Sequence, residues 1–214
     1  MRHELQSRFW LHSQVGDFSM AASTTRERLI QTAHDLFYSE GFHTVGLDRI
    51  LAEVGVTKTT FYKHFQSKDD LVSESLTWHD KWWRDTFLAL MRKHGGDTPR
   101  GQLEAVFDAI DAVLCSEDYN GCFFVNVAVQ FPNPNDPANE AARVHKQAME
   151  DIIRELAGYA GANDAAAFAQ EFTMLMEGAY VTQQIQRAPG TCAVARRMGQ
   201  MLIDRHLPAR TAVT

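Results

Sequence analysis

The sequence predicts an all-α protein with an N-terminal three-helix head, containing a helix-turn-helix, and a larger helical body. Three observations lead there. Apolar residues recur at i, i+3 and i+4 in one segment after another. Capping residues and glycines punctuate those segments where helices would begin and end. Between two short periodic runs lies Gly55-Val56-Thr57, the small-residue corner that a helix-turn-helix uses.

Residues 1–22 contain Phe9, Trp10 and Leu11 but no lasting period, and are expected to form a disordered or loosely docked arm. Met20 is an alternative start, and Arg2 and Arg8, opposed by Glu4 and Asp17, make a weak minor-groove arm. The head is expected at 23–70, with the helix-turn-helix at about 46–65. Thr24 and Glu27 can form a capping box ahead of the stripe Leu29, Ile30, Ala33, Leu36 and Phe37, and Gly41 can end that helix. Leu47, Ile50, Leu51 and Val54 give the next helix one apolar face.

The segment after the turn is the most informative in the chain. Thr57 can cap a short helix in which Phe61 and Phe65 share the packed side. The other side carries Lys58, Thr59, Thr60, Tyr62, Lys63 and His64, with Lys68 beyond and no carboxylate before Asp69. Hydroxyl, ammonium, phenol and imidazole groups are what a phosphate backbone and base edges bind. A solvated helix face is the bland alternative, disfavoured by the clustering of these groups beside the turn.

Residues 24–71 resemble the DNA-binding head of the TetR family of bacterial transcriptional regulators. The likeness rests on Gly41-Phe42, Ile50, Gly55-Val56-Thr57-Lys58, Phe61-Tyr62-Lys63-His64-Phe65 and Ser67-Lys68. Beyond the head it extends to length, helical pattern and a Gly121-Cys122 with Asn126 and Ala128 similar to one subgroup's body. Gly46 stands where the family often has a hydroxyl residue opening the second helix, and Thr59 where a glycine or small residue is common. The resemblance implies Thr59 and Thr60 at base edges, Lys58 at base or phosphate, and Tyr62, Lys63, His64 and Lys68 on phosphates. It also implies a homodimer on a palindromic double-stranded DNA operator, acting as a repressor and released by a small-molecule effector.

The body is expected at 71–208, for effector binding and dimerisation, with a tail at 209–214. Ser67 and Asp70 can form a second capping box opening a helix to about Lys93. Val72, Leu76, Trp83, Phe87 and Leu90 mark one stripe on it, and Leu71, Trp78 and Trp82 another, so two sides are expected to be covered. Gly95-Gly96 breaks the helix, and Thr98-Pro99 starts one through Leu103, Val106, Phe107, Ile110 and Leu114. Ser116 to Gly121 is the next stop. From Cys122 to Phe131 a buried strand and a buried helix fit the apolar run equally by pattern, and the resemblance selects helix. Asn126 would then be a buried polar group needing a partner.

Phe131 to Pro137 reads as a loop, with Asp136-Pro137 opening a helix whose stripe is Ala141, Val144, Ala148, Ile152 and Leu156. Asn163 is the expected cap of the next helix, with Phe168, Phe172, Leu175, Met176, Ala179 and Gln183 on one face and a stop at Pro189-Gly190. Val194, Met198, Leu202 and Arg205 mark the last. Ala165, Ala166, Ala167, Ala169, Gly178, Ala193, Ala195 and Gly199 suit close helix packing, which assigns the last two helices to the subunit interface; packing within one chain is the alternative.

Composition bounds the reading further. The net charge of -6 excludes nucleic-acid binding over the whole surface and confines it to a patch such as Lys58, Lys63 and Lys68. Cys115, Cys122 and Cys192 have no zinc-like spacing, and their odd number argues against a disulfide framework, so a reducing cytoplasm is expected. The histidines show no metal motif, there is no nucleotide-cradling glycine loop, and no cofactor or metal is assigned. Trp78, Trp82, Phe107, Phe124, Asn126, Phe172, Met176 and Tyr180 form the candidate effector lining, with Gln130 and Gln183 as further polar groups; for any one of them, ordinary core is the competing reading. Cys122, near a helix start, is a candidate redox- or electrophile-sensing thiol, with a buried inert cysteine as the alternative. An enzyme with Cys122 as nucleophile and His145 as base, and a DNA-binding adaptor that recruits protein, are the remaining classes; the expectation is no enzyme.

Overall fold

The computed structural model describes residues 23–116 and 119–208, and all regular structure among them is helical. The ten helices among these residues are α1 (Thr25–Glu40), α2 (Leu47–Val54), α3 (Lys58–Phe61), α4 (Lys68–Gly95), α5 (Pro99–Glu104), α6 (Val106–Leu114), α7 (Phe123–Gln130), α8 (Pro137–Tyr159), α9 (Ala165–Gln186) and α10 (Thr191–His206). The expected arm at 1–22 and tail at 209–214 lie outside the described residues. The chain divides into two compact units: residues up to Trp83 with Phe123–His145, and Arg84–Cys122 with residues from Lys146 onward.

In the first unit the head forms as its caps dictate. Thr24 accepts a hydrogen bond from Glu27 N and the Glu27 carboxylate accepts from Thr24 N, closing the capping box. Gly41 ends α1 at φ 91°, a conformation open to glycine and costly for other residues. Leu29, Ile30, Ala33, Leu36, Phe37, Ile50, Leu51, Val54, Phe61 and Phe65 are all buried, so the three short helices share one apolar core. Arg28 fastens the corner by donating to Val54 O at 2.6 Å.

The entry to α4 differs from the expected reciprocal box. Asp70 N donates to Ser67 Oγ, but the Asp70 carboxylate accepts from Gln66 N, one residue earlier. Leu71, Val72, Ser75 and Leu76 are buried on the α4 segment of this unit, and Ser75 satisfies its hydroxyl by donating to Leu71 O.

The apolar run after Cys122 is helical, and α7 returns to the head. The Phe123 ring lies 4.8 Å from His34, 5.4 Å from Phe42 and 4.4 Å from His79. Gln130 Oε1 accepts from Phe42 N at 2.8 Å, and Gln130 O pairs with the His43 ring at 2.8 Å. Gln130 therefore ties α7 to the end of α1. Asn126 is half-buried, less enclosed than expected, because α7 turns Ala128 and Val129 to the surface.

On α8 the inward stripe is Ala138, Ala142, His145, Met149, Ile153 and Ala157, not the expected Ala141, Val144, Ala148, Ile152 and Leu156; Val144 is exposed. The helix is turned by about one residue, or roughly 100°, because a histidine is its central inward group. His145 is buried with its Nδ1 2.7 Å from Asp80 Oδ1 and its ring stacked 3.9 Å from Phe124.

In the second unit Gly95 and Gly101 bring two backbones together: a Cβ on Gly95 would lie 2.1 Å from Gly101 O, and one on Gly101 2.2 Å from Gly95 O. Thr98 caps α5 with Pro99 in the first turn, as expected, but the expected single helix is divided at Ala105, which lies between α5 and α6. α10 packs on α9, α6 and α5. Asp164, not Asn163, caps α9, accepting from Ala167 N at 3.0 Å; Asn163 instead donates its backbone N–H to His206 O.

The inward face of α10 is Cys192, Ala195, Gly199, Ile203 and His206, and the expected stripe of Val194, Met198 and Arg205 faces outward, with Leu202 intermediate. The small residues explain the rotation. Gly199 sits against the rings of Phe107 and Phe172, and a Cβ there would lie 2.6 Å from Phe107 Cε2. Ala169, Ala195 and Gly199 are thus spent on packing within the chain, while Ala166, Gly178 and Ala193 remain on the surface.

Candidate nucleic-acid interface

The turn and α3 are set by three local features. Gly55 adopts φ 76° and closes α2 with its N–H on Leu51 O. Thr57 then caps α3 by accepting from Thr60 N at 3.2 Å. Phe61 and Phe65, with ring centroids 5.4 Å apart, anchor the segment in the core. α3 ends at Phe61 and continues as a turn, so Tyr62, Lys63 and His64 project from a bend instead of a longer helix.

Lys58, Thr59, Tyr62, Lys63 and His64 are exposed, and Thr60 is half-buried with its hydroxyl 3.1 Å from that of Thr57. The structure thus brings six of the seven expected DNA-facing residues into one short surface segment, with Thr60 partly turned into its own cap. Lys68 differs. Its ammonium donates to Phe42 O at 2.6 Å and lies 5.6 Å over the Phe37 ring, and burial pulls its pKa below the ordinary lysine value. That charge ties α4 to the head.

A carboxylate that the linear pattern does not reveal also enters. Asp48, in the first turn of α2, lies 2.9 Å from Lys58 Nζ, and this hydrogen bond raises the lysine pKa. Both side chains are exposed, so the pair is weak and a phosphate can replace Asp48. Asp48→Asn is expected to strengthen DNA binding by about twofold to fivefold at low salt and by less at high salt, as for other rim charges. Titration of a labelled duplex at two ionic strengths measures it, and unchanged or weaker binding at low salt would count against phosphate contact by Lys58.

The candidate effector residues divide between the units. In the first, Trp78 and Trp82 stack with centroids 6.0 Å apart and both are half-buried, Phe124 is buried against His145, and Asn126 is half-buried. In the second, Phe107, Phe172, Met176 and Tyr180 are buried, and Phe107 and Phe172 lie 5.5 Å apart around Gly199. Tyr180 OH and Gln183 Oε1 are buried without a hydrogen-bond partner among the described residues.

Sequence reasoning also missed the surroundings of Cys122. Lys146 Nζ donates to Cys122 Sγ at 3.1 Å and to the two Glu177 oxygens at 2.6 and 2.7 Å. Helical spacing cannot relate residues on separate elements, so nothing in the linear pattern singles out Lys146 or Glu177.

Comparison with known proteins agrees with this geometry. Residues 29–74 match the family model described as bacterial regulatory proteins, tetR family. The crystal structure of SCO4454, a TetR-family transcriptional regulator from Streptomyces coelicolor, is similar at 32% identity and a TM-score of 0.79, over 86% of this chain and 90% of that one. A putative TetR transcriptional regulator from Streptomyces avermitilis is similar at 25% identity and a TM-score of 0.75, over 86% of this chain and 98% of that one. The HTH-type transcriptional regulator YjdC of Escherichia coli K12 is 21% identical over 182 residues, 83% of this chain and 93% of that protein. A head of this geometry, joined to a likeness running through most of the chain, establishes that the protein belongs to the TetR family of bacterial transcriptional regulators.

Proposed function

We propose that the protein is a homodimeric repressor that binds a palindromic operator and is released by a small-molecule effector. The observation that carries this reading is the exposed run Lys58, Thr59, Tyr62, Lys63 and His64, held in place by buried Phe61 and Phe65. Two such segments in a dimer would enter successive major grooves roughly 34 to 36 Å apart. Thr59 and Thr60 are assigned to base edges, Lys58 to base or phosphate, and Tyr62, Lys63 and His64 to phosphates. Lys68 is assigned to holding the head on α4, with no direct phosphate contact.

Selection of bound duplexes from a random pool tests the reading, and Lys63 gives it a quantitative form. Lys63→Ala is expected to reduce the salt slope of binding by about one unit per protomer and to weaken all sequences alike. A change confined to one base position, or an unchanged slope, would remove Lys63 from the phosphate contacts. Absence of binding to any duplex at low salt would end the proposal.

Dimerisation through α9 and α10 is supported by what those helices leave uncovered. Met174, Val181 and Ile185 on α9, and Val194, Met198 and Met201 on α10, are exposed apolar residues on two helices that pack together. An uncovered apolar set of this kind marks an association surface. Ile185→Glu combined with Met198→Glu is expected to shift the protein from dimer to monomer and to weaken operator binding at least tenfold, since each half-site then binds alone. Sedimentation velocity reads the first effect; a double variant that still sediments as a dimer would place the interface elsewhere.

The effector is assigned to the aromatic residues of the body, with a partly apolar molecule as its chemistry. It can act only by preferring one body shape over the other. Residues 68–94 are the proposed conduit, joined by α7, whose Phe123 and Gln130 touch the head directly. A ligand that binds the body and leaves operator affinity unchanged would refute the coupling.

A further inference from the structure

The connection from α1 to α2 contains a residue whose main chain is held from two sides. Phe42 is buried, with its ring 4.9 Å from Phe37, 5.4 Å from Phe123 and 5.5 Å from Phe131. Main-chain groups taken out of water this way need partners, and an unpaired one is costly. Those of Phe42 find side chains. Its N–H donates to Gln130 Oε1 at 2.8 Å, from the last residue of α7. Its carbonyl accepts from Lys68 Nζ at 2.6 Å, from the first residue of α4. These partners stand 88 and 26 residues away in the chain, so both bonds are tertiary.

The neighbouring residues are shaped around this grip. A Cβ on Gly41 would lie 3.2 Å from Gln130 Oε1, so the glycine that ends α1 also lets the amide come close. Gln130 O pairs with the His43 ring, which lies 5.0 Å from that of Phe131. Asn139 Nδ2 donates to Phe131 O at 2.6 Å and so fixes the end of α7 to α8. Phe37, which stacks on Phe42 and lies under the Lys68 ammonium, is buried in the head. The head is therefore tethered twice, to α4 through Lys68 and to α7 through Gln130. Release of one tether leaves the core around Phe61 whole but lets the head rock on the other.

We infer that Gln130 and Lys68 are positioning residues that set which spacing of operator half-sites the protein accepts, by gripping the backbone of Phe42 from α7 and α4. The inference deepens the palindromic-operator reading and rests on it. Two recognition segments of a dimer must meet their half-sites together. One inserted base pair moves a half-site by about 3.4 Å and turns it by about 35° around the duplex. A firmly held head cannot follow that step. A loosened head can, but it gives up the pre-organisation that favours the correct spacing. In this assignment neither side chain touches DNA.

Binding of the full-length protein to four duplexes tests the inference: the palindrome recovered by selection, the same half-sites with one base pair added or removed, and a single half-site. The wild type is expected to prefer the selected spacing by about tenfold or more. Gln130→Met keeps the length of the side chain and removes the acceptor. It is expected to lose about tenfold on the selected palindrome, about threefold or less on the altered spacings, and nothing on the half-site. Gln130→Glu keeps an oxygen at the same reach and should retain the wild-type preference. Lys68→Met should narrow the preference in the same direction with the salt slope unaltered, because no phosphate contact is lost. Without DNA, hydrogen exchange at Phe42 N–H should quicken by about tenfold in Gln130→Met and stay near wild type in Gln130→Glu.

Equal losses on every duplex, the half-site included, would mean general damage to the head and overturn the positioning role. So would an unchanged spacing preference in Gln130→Met. A salt slope lowered by about one unit in Lys68→Met would return that lysine to the phosphates. A wild type that binds the selected palindrome but ignores spacing overturns the inference and leaves the operator reading standing. A wild type that binds no duplex refutes the operator reading, while exchange at Phe42 N–H still judges the grip.

Discussion

Phe61→Ala is expected to abolish operator binding while leaving most of the helical content intact. Phe61 is fully buried at the centre of the head, packed against Phe65 and followed directly by the exposed Tyr62, Lys63 and His64. Truncating a buried phenylalanine costs about 3 to 5 kcal/mol. A head formed by three short helices has little stability to lose. α3 has one capped turn and cannot persist without its anchor. Hydrogen exchange should therefore accelerate across 24–66 and remain near wild type in α9 and α10, while anisotropy with the selected operator shows no binding. Tyr62→Phe, at a residue 58% exposed, removes a hydroxyl but no packing and should leave exchange unaltered. Normal operator affinity in Phe61→Ala would mean that the recognition segment is not held by this core.

Gly95→Ala should be the most destabilising small substitution in the second unit. The added carbon would stand 2.1 Å from Gly101 O, 2.4 Å from Gly101 C and 2.7 Å from Gln102 N, all of them main-chain atoms. Side chains can rotate out of such contacts, but this backbone is held: Gly101 N donates to Thr98 Oγ1, and Gln102 Nε2 donates to Gly96 O. The expected loss is about 3 kcal/mol or more, the upper end of the overpacking range. Gly96→Ala supplies the comparison, since no described atom lies within 4 Å of where its Cβ would stand but φ is 72°. Conformational strain alone should cost it about 1 to 2 kcal/mol. Urea unfolding ranks the two, and a Gly96→Ala loss equal to or larger than that of Gly95→Ala would show that the close approach is not what holds the α4–α5 corner.

The head was readable from sequence because its information is local. Thr24, Gly41, Gly55 and Thr57 each act on backbone within four residues, and the structure uses them as caps and turns. The body was less readable wherever an inward position is not a large apolar residue. His145 and His206 face inward because carboxylates, Asp80 and Glu171, meet them. A hydrophobic pattern counts both as outward. On α10 the inward positions include the small Cys192, Ala195 and Gly199, with Gly199 fitted against Phe107 and Phe172, while larger Val194 and Met198 face outward. Size thus carried the face of that helix, and hydropathy pointed to the opposite side. The same limit applies to the candidate sites: the cationic segment is contiguous and visible, whereas Asp48 beside Lys58, and Lys146 beside Cys122, are meetings between elements that no periodicity encodes.

Gly46 opens α2 with φ -80° and ψ 158°, without a side-chain cap, and no described atom lies within 4 Å of the place a Cβ would take. That makes the start of the helix-turn-helix a vacant adjustment point. A serine there could accept from the α2 backbone, adding a few tenths of a kcal/mol over glycine without displacing a packed atom. A single small replacement at this position would therefore firm the head without repacking its core.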